Sequence, residues 1–172
     1  MESADWLKTL VDRQAITDLI YRYCRSMDRI DPELGHSIFH PDATADYGAE
    51  VFQGSGYGAI DYICATHRHA QVHTHQVTNI LLELNGDHAA SESYYVSALR
   101  MMINDQLMQF TTWGRYLDKW SRRDGRWGID RRVVVRDLDE VNAARPLSQL
   151  DRGRRDNSDP SYALFAEVRQ RR

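Results

Sequence analysis

The chain has 172 residues, of which 42% are hydrophobic and 27% charged, and a formal net charge of −3. That length suits one domain with a full core, and the charge balance supplies no global field that would favour nucleic acid or an anionic membrane. No apolar run approaches the roughly 18 residues that mark a membrane-spanning helix.

The opening stretch, "MESADWLKTLVDRQ", is polar and amphipathic rather than signal-like, and only two cysteines occur, Cys24 and Cys64. The expectation is a reduced, cytoplasmic protein whose cysteines are buried thiols. Ile16, Leu19, Ile20, Tyr23 and Met27 recur at three- and four-residue steps and predict an amphipathic helix, with Asp5 or Asp12 as its cap. "IDP" at 30–32 ends that helix, because the residue before proline avoids the helical region. Asp31 then caps a short helix with Pro32 at its first position. "HPDATADYG" reads as a loop leading into a short strand. "SGYGAIDYICATHRH" reads as a third helix, capped by Ser55, with Ala59, Ile60, Ile63 and Ala65 or Thr66 on its apolar side.

From Val72 the period changes to that of strands. "VHTHQVTNILLEL", "HAASESYYVSALRMMI", "LMQFTTWGRYLDKWSRR" and "RWGIDRRVVVRDL" are separated by the turn signals "NGD", "NDQ" and "DG". Three helices followed by four hairpin-linked strands predict an α+β fold, an antiparallel sheet with helices on one face. Both parities of the third strand are apolar: Leu107, Thr111, Trp113 and Leu117 on one, Met108, Phe110, Tyr116 and Trp120 on the other. A sheet apolar on both faces needs two covers, so a homo-oligomer, trimer or dimer, is expected. Residues 1–142 are expected to form the domain. Residues 143–172 are expected to be a polar, arginine-rich extension, its "DRGRRD" and "RQRR" runs solvated.

"THRHAQVHTHQ" places His67, His69, His73 and His75 within nine positions. A metal site wants three or four converging ligands. His73 and His75 share a strand face, as in a cupin, but Asn79 and Ile80 stand where a cupin glutamate belongs. No metal and no cofactor are expected. His67 and His69 read as exposed residues at a helix end, favoured there by the helix dipole. His73 reads as a strand histidine that matters only if it faces a pocket. His75 opens "HQVTNILLEL", a stretch expected to become wholly buried, and a neutral imidazole in a dry site is a natural general base. Such a base needs an orienting carboxylate, and Asp28, at the end of the first long helix, is the best placed.

These segments together resemble the SnoaL-like branch of the nuclear transport factor two-like superfamily. The residues that carry the resemblance are "AITDLIYRYCRSMDRIDPELGHSIFHPDATADYG", "HQVTNILLEL" and "RRDGRWGIDRRVVV". The resemblance covers roughly residues 5–140. It implies a cone-shaped α+β barrel, a strongly curved and mostly antiparallel sheet wrapped around three N-terminal helices, with a deep pocket between them. Within the branch the chain is similar to scytalone dehydratase, hexachlorocyclohexane dehydrochlorinase and bile acid 7α-dehydratase. That similarity implies an Asp–His pair, here Asp28 and His75, with Tyr23 as an assisting residue and Arg132 or Arg136 on the last strand binding a leaving group or an oxygen anion. The ordinary alternative for either arginine is a salt bridge to Asp118 or Asp137. Ala98 stands where the bile acid enzyme has an aspartate, and "SESYYVSALRM" lacks the second histidine of scytalone dehydratase.

The expected activity is a cofactor-independent lyase of dehydratase type. Its expected substrate is a cyclic apolar molecule, a steroid, terpenoid, aromatic or polyketide, held by Tyr47, Phe52, His73, Tyr95 and Trp113. An isomerase or polyketide cyclase with the same base is the second reading. A non-catalytic small subunit of a ring-hydroxylating oxygenase, or another ligand-binding module, is the third.

Overall fold

The computed structural model of the chain describes residues 2–146 and 153–170. The first helix, α1 (Glu2–Arg29), is longer than the apolar stripe alone predicts. Positions 5 and 12 therefore lie inside it rather than at its start. Asp12 is instead buried and accepts hydrogen bonds from Trp127 Nε1 (2.9 Å) and Arg122 Nη1 (2.6 Å). The helix stops where expected, and Ile30 turns the chain with φ = 51°. Asp31 caps α2 (Pro32–His36) by accepting from the Leu34 amide at 3.0 Å.

"HPDATAD" is a strand rather than a loop. β1 (Phe39–Asp46) pairs antiparallel with the short β2 (Gln53–Ser55) and parallel with the last strand. The sequence reading missed it because proline and two aspartates outweighed the Ala43/Ala45 alternation. Ser55 caps α3 (Gly56–Thr66), which buries Ala59, Ile60, Ile63 and Cys64, while Ala65 and Thr66 stay exposed.

The four long strands are β3 (Val72–Asn85), β4 (His88–Ile103), β5 (Gln106–Arg123) and β6 (Arg126–Ala143). They form one open, curved six-stranded sheet in the order β2-β1-β6-β5-β4-β3. The "NDQ" and "DG" turns take positive φ at both central residues, Asn104/Asp105 and Asp124/Gly125, the hairpin geometry whose twist matches the strands. Bulges interrupt β3 at Thr78/Leu81 and the β5–β6 ladder at Trp113/Gly114 and Lys119/Trp120, and bulges bend a sheet. At one of them only glycine fits: a side chain on Gly114 would meet the Val135 carbonyl and the Tyr95 ring.

The core lies between α1, α3 and the concave face of the sheet, around Ile16, Ile20, Tyr23, Met27, Phe39, Ile60, Tyr116, Trp120 and Ile129. Fully burying one such side chain contributes about 1.5–3 kcal/mol. β3 is an edge strand and alternates, with Leu81 63% exposed, so the expected full burial of "HQVTNILLEL" does not hold. The convex face carries Leu81, Tyr94 and Leu138, all exposed, beside the half-buried Val96, Trp113 and Leu117. Cys24 and Cys64 are free and buried. Among the described residues no helix is long and apolar enough to cross a membrane.

The chain beyond residue 146 departs from expectation. Residues 147–152 and 171–172, which include part of "DRGRRD" and of "RQRR", lie outside the described residues. From Gly153 onward the segment packs back on the domain and ends in α4 (Pro160–Arg169), capped by the buried Asp159. Arginine density read as solvation, but half-buried Arg155 donates to four backbone carbonyls.

Candidate active site

Three elements bring the site together. α1 ends beside β3, the sheet's edge strand. An edge strand leaves alternate N–H groups unpaired, and the His75 amide is one of them. It donates to Asp28 Oδ2 at 3.1 Å, while the His75 ring Nδ1 meets Asp28 Oδ1 at 2.7 Å. One carboxylate therefore holds both the backbone and the ring of His75. A carboxylate accepts only, so Nδ1 carries a proton, and in the neutral ring Nε2 is the nitrogen that holds the lone pair. The two side chains are 5% and 14% exposed.

The period of two along β3 puts His73 on the same face as His75. Cross-strand partners extend that face in two rows, His73–Leu99–Phe110 and His75–Ser97–Thr112. All six residues line one cavity of about 700 Å³.

His67 completes a cluster that the sequence reading had separated. It caps the end of α3 and is half-buried, not exposed, and it lines the same cavity. Its ring lies 4.9 Å from that of His73, which lies 4.5 Å from that of His75. Only His69 is the exposed bystander expected of it. Burial, reinforced by the Arg155 charge and by His75, pushes His67 down to about 4. Burial pushes His73 further down, with His75 and His67 adding to it. Both are neutral at physiological pH, and among the described residues Nδ1 of each is buried without a hydrogen-bond partner. Asp28, His73 and His75 each offer a ligand atom within 4.8 Å of the others. Both oxygens of that carboxylate already accept from His75, so as a ligand Asp28 would be shared between a metal and the imidazole.

The cavity floor is a charged aromatic stack. The Tyr23 and Tyr47 hydroxyls are 2.8 Å apart. Arg132 lies 4.0 Å from the Tyr23 ring centroid and 4.4 Å from that of Tyr116. It makes a two-pronged ion pair with Asp118, its direct neighbour on β5, at 2.7 and 2.8 Å. Both side chains of that pair are fully buried. Burial pushes the Tyr23 hydroxyl well up, and the adjacent Tyr47 adds to that. It also pushes Tyr47 up, against the pull of Arg132. Both phenols stay protonated, ready to donate. Among the described residues Arg132 Nη1 is buried without a hydrogen-bond partner.

The structure thus brings His75, His73, Tyr23, Tyr47 and Tyr95 to one cavity, with Asp28 behind His75 and hydrogen-bonded to it. It separates the two arginines. Arg136 lines the cavity and is half-exposed, close to Asp139 at 4.0 Å. Arg132 lies beneath the floor, held by Asp118, the salt bridge weighed as its ordinary alternative. Asp137 pairs with Arg115 instead. Two expected wall residues do not line the cavity. Trp113 points to the convex face, opposite in parity to Thr112. Phe52 packs on Tyr62 outside the wall, its ring against Gly54 and Gly58. Missed by the sequence reading were His67 and Tyr116; Tyr116 had been placed only by strand parity.

A family model described as a SnoaL-like domain matches residues 8–133. No curated protein matches the chain significantly. Among solved structures, a putative scytalone dehydratase from Novosphingobium aromaticivorans is 22% identical, with TM-score 0.68, covering 83% of this chain and 97% of that one. The hexachlorocyclohexane dehydrochlorinase of Novosphingobium barchaimii is 20% identical, with TM-score 0.73, covering 84% and 99%. A nuclear transport factor two-like protein from Salmonella enterica is 21% identical, with TM-score 0.64, covering 83% and 99%. At these identities the likeness is one of fold.

Proposed function

The chain belongs to the SnoaL-like domain family, and from that premise we propose that it is a cofactor-independent lyase of dehydratase type, acting on a cyclic apolar substrate. The observation that carries this reading is Asp28 holding His75 through both its amide and its ring, at the wall of a 700 Å³ cavity.

In this mechanism His75 Nε2 takes a proton from a substrate carbon. The electron pair of that C–H bond becomes the new π bond, and the C–O bond to the leaving hydroxyl breaks. The hydroxyl takes a proton from the Tyr23–Tyr47 pair and departs as water. The proton on His75 then restores the tyrosine through solvent. Asp28 fixes the tautomer and stabilises the imidazolium. General-base catalysis of this kind is worth roughly 10²- to 10⁴-fold, and hydroxyls already aimed at developing oxygen charge add to it. His67 and His73, neutral and on the same wall, add polar rings beside the place of the reacting carbon. Leu99, Met101, Phe110 and Tyr95 suit the apolar rings of a steroid, terpenoid or polyketide.

The test incubates the purified protein, with EDTA, with hydroxylated cyclic ketones, steroids and aromatic polyketides. Mass spectrometry follows loss of water in the wild type, His75→Ala and Asp28→Asn. Water loss that vanishes in both variants is the expected result. Water loss persisting in His75→Ala would overturn the assignment of the base. A dyad with a hydroxyl pair also serves isomerisation or cyclisation, and a product of unchanged mass would select that reading. Tight binding without any turnover would select a non-catalytic binding role.

A further inference from the structure

One guanidinium from the C-terminal segment reaches backbone carbonyls at the end of α1, at the end of α3 and just before β3. Arg155 Nε meets the Asp28 carbonyl and Nη2 the Met27 carbonyl, both at 3.3 Å. Its Nη1 donates to the His67 carbonyl at 2.5 Å and to the Ala70 carbonyl at 3.0 Å. Met27 and Asp28 form the last turn of α1, and His67 is the cap of α3. Ala70 stands two residues before β3, the strand of His73 and His75. The last four carbonyls of a helix have no partner within it, and a cation is favoured beside them. Arg155 thus closes two helix ends at once and ties both to the start of β3.

The segment around it is anchored independently. Buried Asp159 pairs with Arg29 at 3.5 Å and accepts from the Arg154 amide at 3.0 Å. Tyr162 donates to Asp31 at 3.1 Å. Arg25 donates to Ser161 at 3.0 Å and sits over the Tyr162 and Phe165 rings, at 4.7 and 5.2 Å. Arg155 is therefore delivered by a docked strap, residues 153–169, from outside the span that the family model matches.

We infer that Arg155 is a positioning residue for the Asp28–His75 pair, setting the distance between the end of α1 and the edge of β3 on which the 2.7 Å contact depends. The inference rests on the proposed role of that pair. Because Asp28 stands on a terminal helical turn and His75 on an edge strand, neither is fixed from both sides by regular secondary structure. The guanidinium supplies the missing cross-link. Lysine at 155 would bring the charge but not the planar five-donor fork.

The test needs no substrate. Full-length protein labelled with ¹⁵N-histidine is observed by NMR for the His75 Nδ1–H resonance and its exchange with water. In the wild type a slowly exchanging, downfield resonance is expected, and Asp28→Asn should abolish it. In Arg155→Met the resonance should move upfield and exchange about 10-fold faster or more, with Arg155→Lys intermediate. Against a substrate found by the screen above, kcat/KM of Arg155→Met should fall by about 100-fold, the scale of an ångström-sized misplacement of catalytic groups, mostly in kcat. An unchanged resonance and exchange rate in Arg155→Met would overturn the inference alone. Identical wild-type and Asp28→Asn spectra would overturn the Asp–His pair itself and the inference with it. If Arg155→Met does not fold, Arg155→Lys decides: a shifted resonance supports the inference, an unchanged one overturns it.

Discussion

Replacing Asp118 by alanine should destabilise the protein more than almost any other single change near the cavity. The Arg132 and Asp118 side chains have no exposed surface and share two hydrogen bonds at 2.7 and 2.8 Å. Without the carboxylate, the guanidinium stays buried among the rings of Tyr23, Tyr116 and Phe39, stripped of its ion-pair partner. Breaking a buried pair from one side costs about 3–5 kcal/mol, because an uncompensated charge remains. For a domain of this size, where 1 kcal/mol moves Tm by about 2–4 °C, the expected drop is roughly 6–20 °C. Urea titration reads the loss as a lower midpoint at unchanged slope. The double variant Arg132→Met/Asp118→Leu removes both charges and should recover much of the loss, since apolar replacements of a buried pair are often neutral or better. A single variant within about 1 kcal/mol of wild type, or a double variant as unstable as the single, would refute the view that the cavity floor rests on this pair.

Three further outcomes are expected. Tyr23→Phe removes one hydroxyl of the 2.8 Å pair. It should cost only about 0.5–1.5 kcal/mol of stability but lower kcat by roughly 10²- to 10³-fold, so steady-state kinetics beside a melting curve separate the two roles; equal kcat would remove Tyr23 from the chemistry. His73 is neutral when folded and takes up a proton on unfolding below its unfolded pKa of about 6.5. Its burial therefore weakens the fold as pH falls through that value, by up to about 1.4 kcal/mol per pH unit. His67 acts in the same direction between about 6.5 and about 4. Urea midpoints at pH 7.5, 6.5 and 5.5 should flatten in His73→Gln, and an unaltered slope there would contradict the assigned burial. On the convex face Leu81, Tyr94 and Leu138 form an exposed apolar stripe with Val96, Trp113 and Leu117. Light scattering is expected to report a dimer or trimer that Leu138→Glu dissociates; a wild-type monomer would dispose of that expectation.

Much of this molecule was legible before folding. Hydrophobic period separated the α1 stripe from the long strands, and turn chemistry at "NDQ" and "DG" marked the hairpins, because both are local consequences of backbone geometry. Strand parity placed His73 and His75 on one face. His75 and Asp28 were singled out by their places at the start of a strand and the end of a helix, and the family resemblance implied the same pair; nothing local says that two residues 47 positions apart will meet. Other features belong to tertiary structure alone. β1 exists because β6 lies beside it in parallel, a pairing that no window of "HPDATAD" contains. The bulge at Trp113/Gly114 and strand parity turn Trp113 away from the cavity and leave Arg136 at its wall while Arg132 goes beneath its floor. His67 joins the histidine cluster because α3 ends against β3, not because of its sequence spacing. The arginines after residue 152 read as solvated by composition, yet Arg155 donates to four carbonyls, at the ends of α1 and α3 and just before β3, that lie far from it in the chain. The sequence therefore determined which residues carry the candidate chemistry and which local elements hold them. Only the packing of edge strand, helix termini and returning segment decided which of them face one another, because those contacts depend on distances across the chain rather than along it.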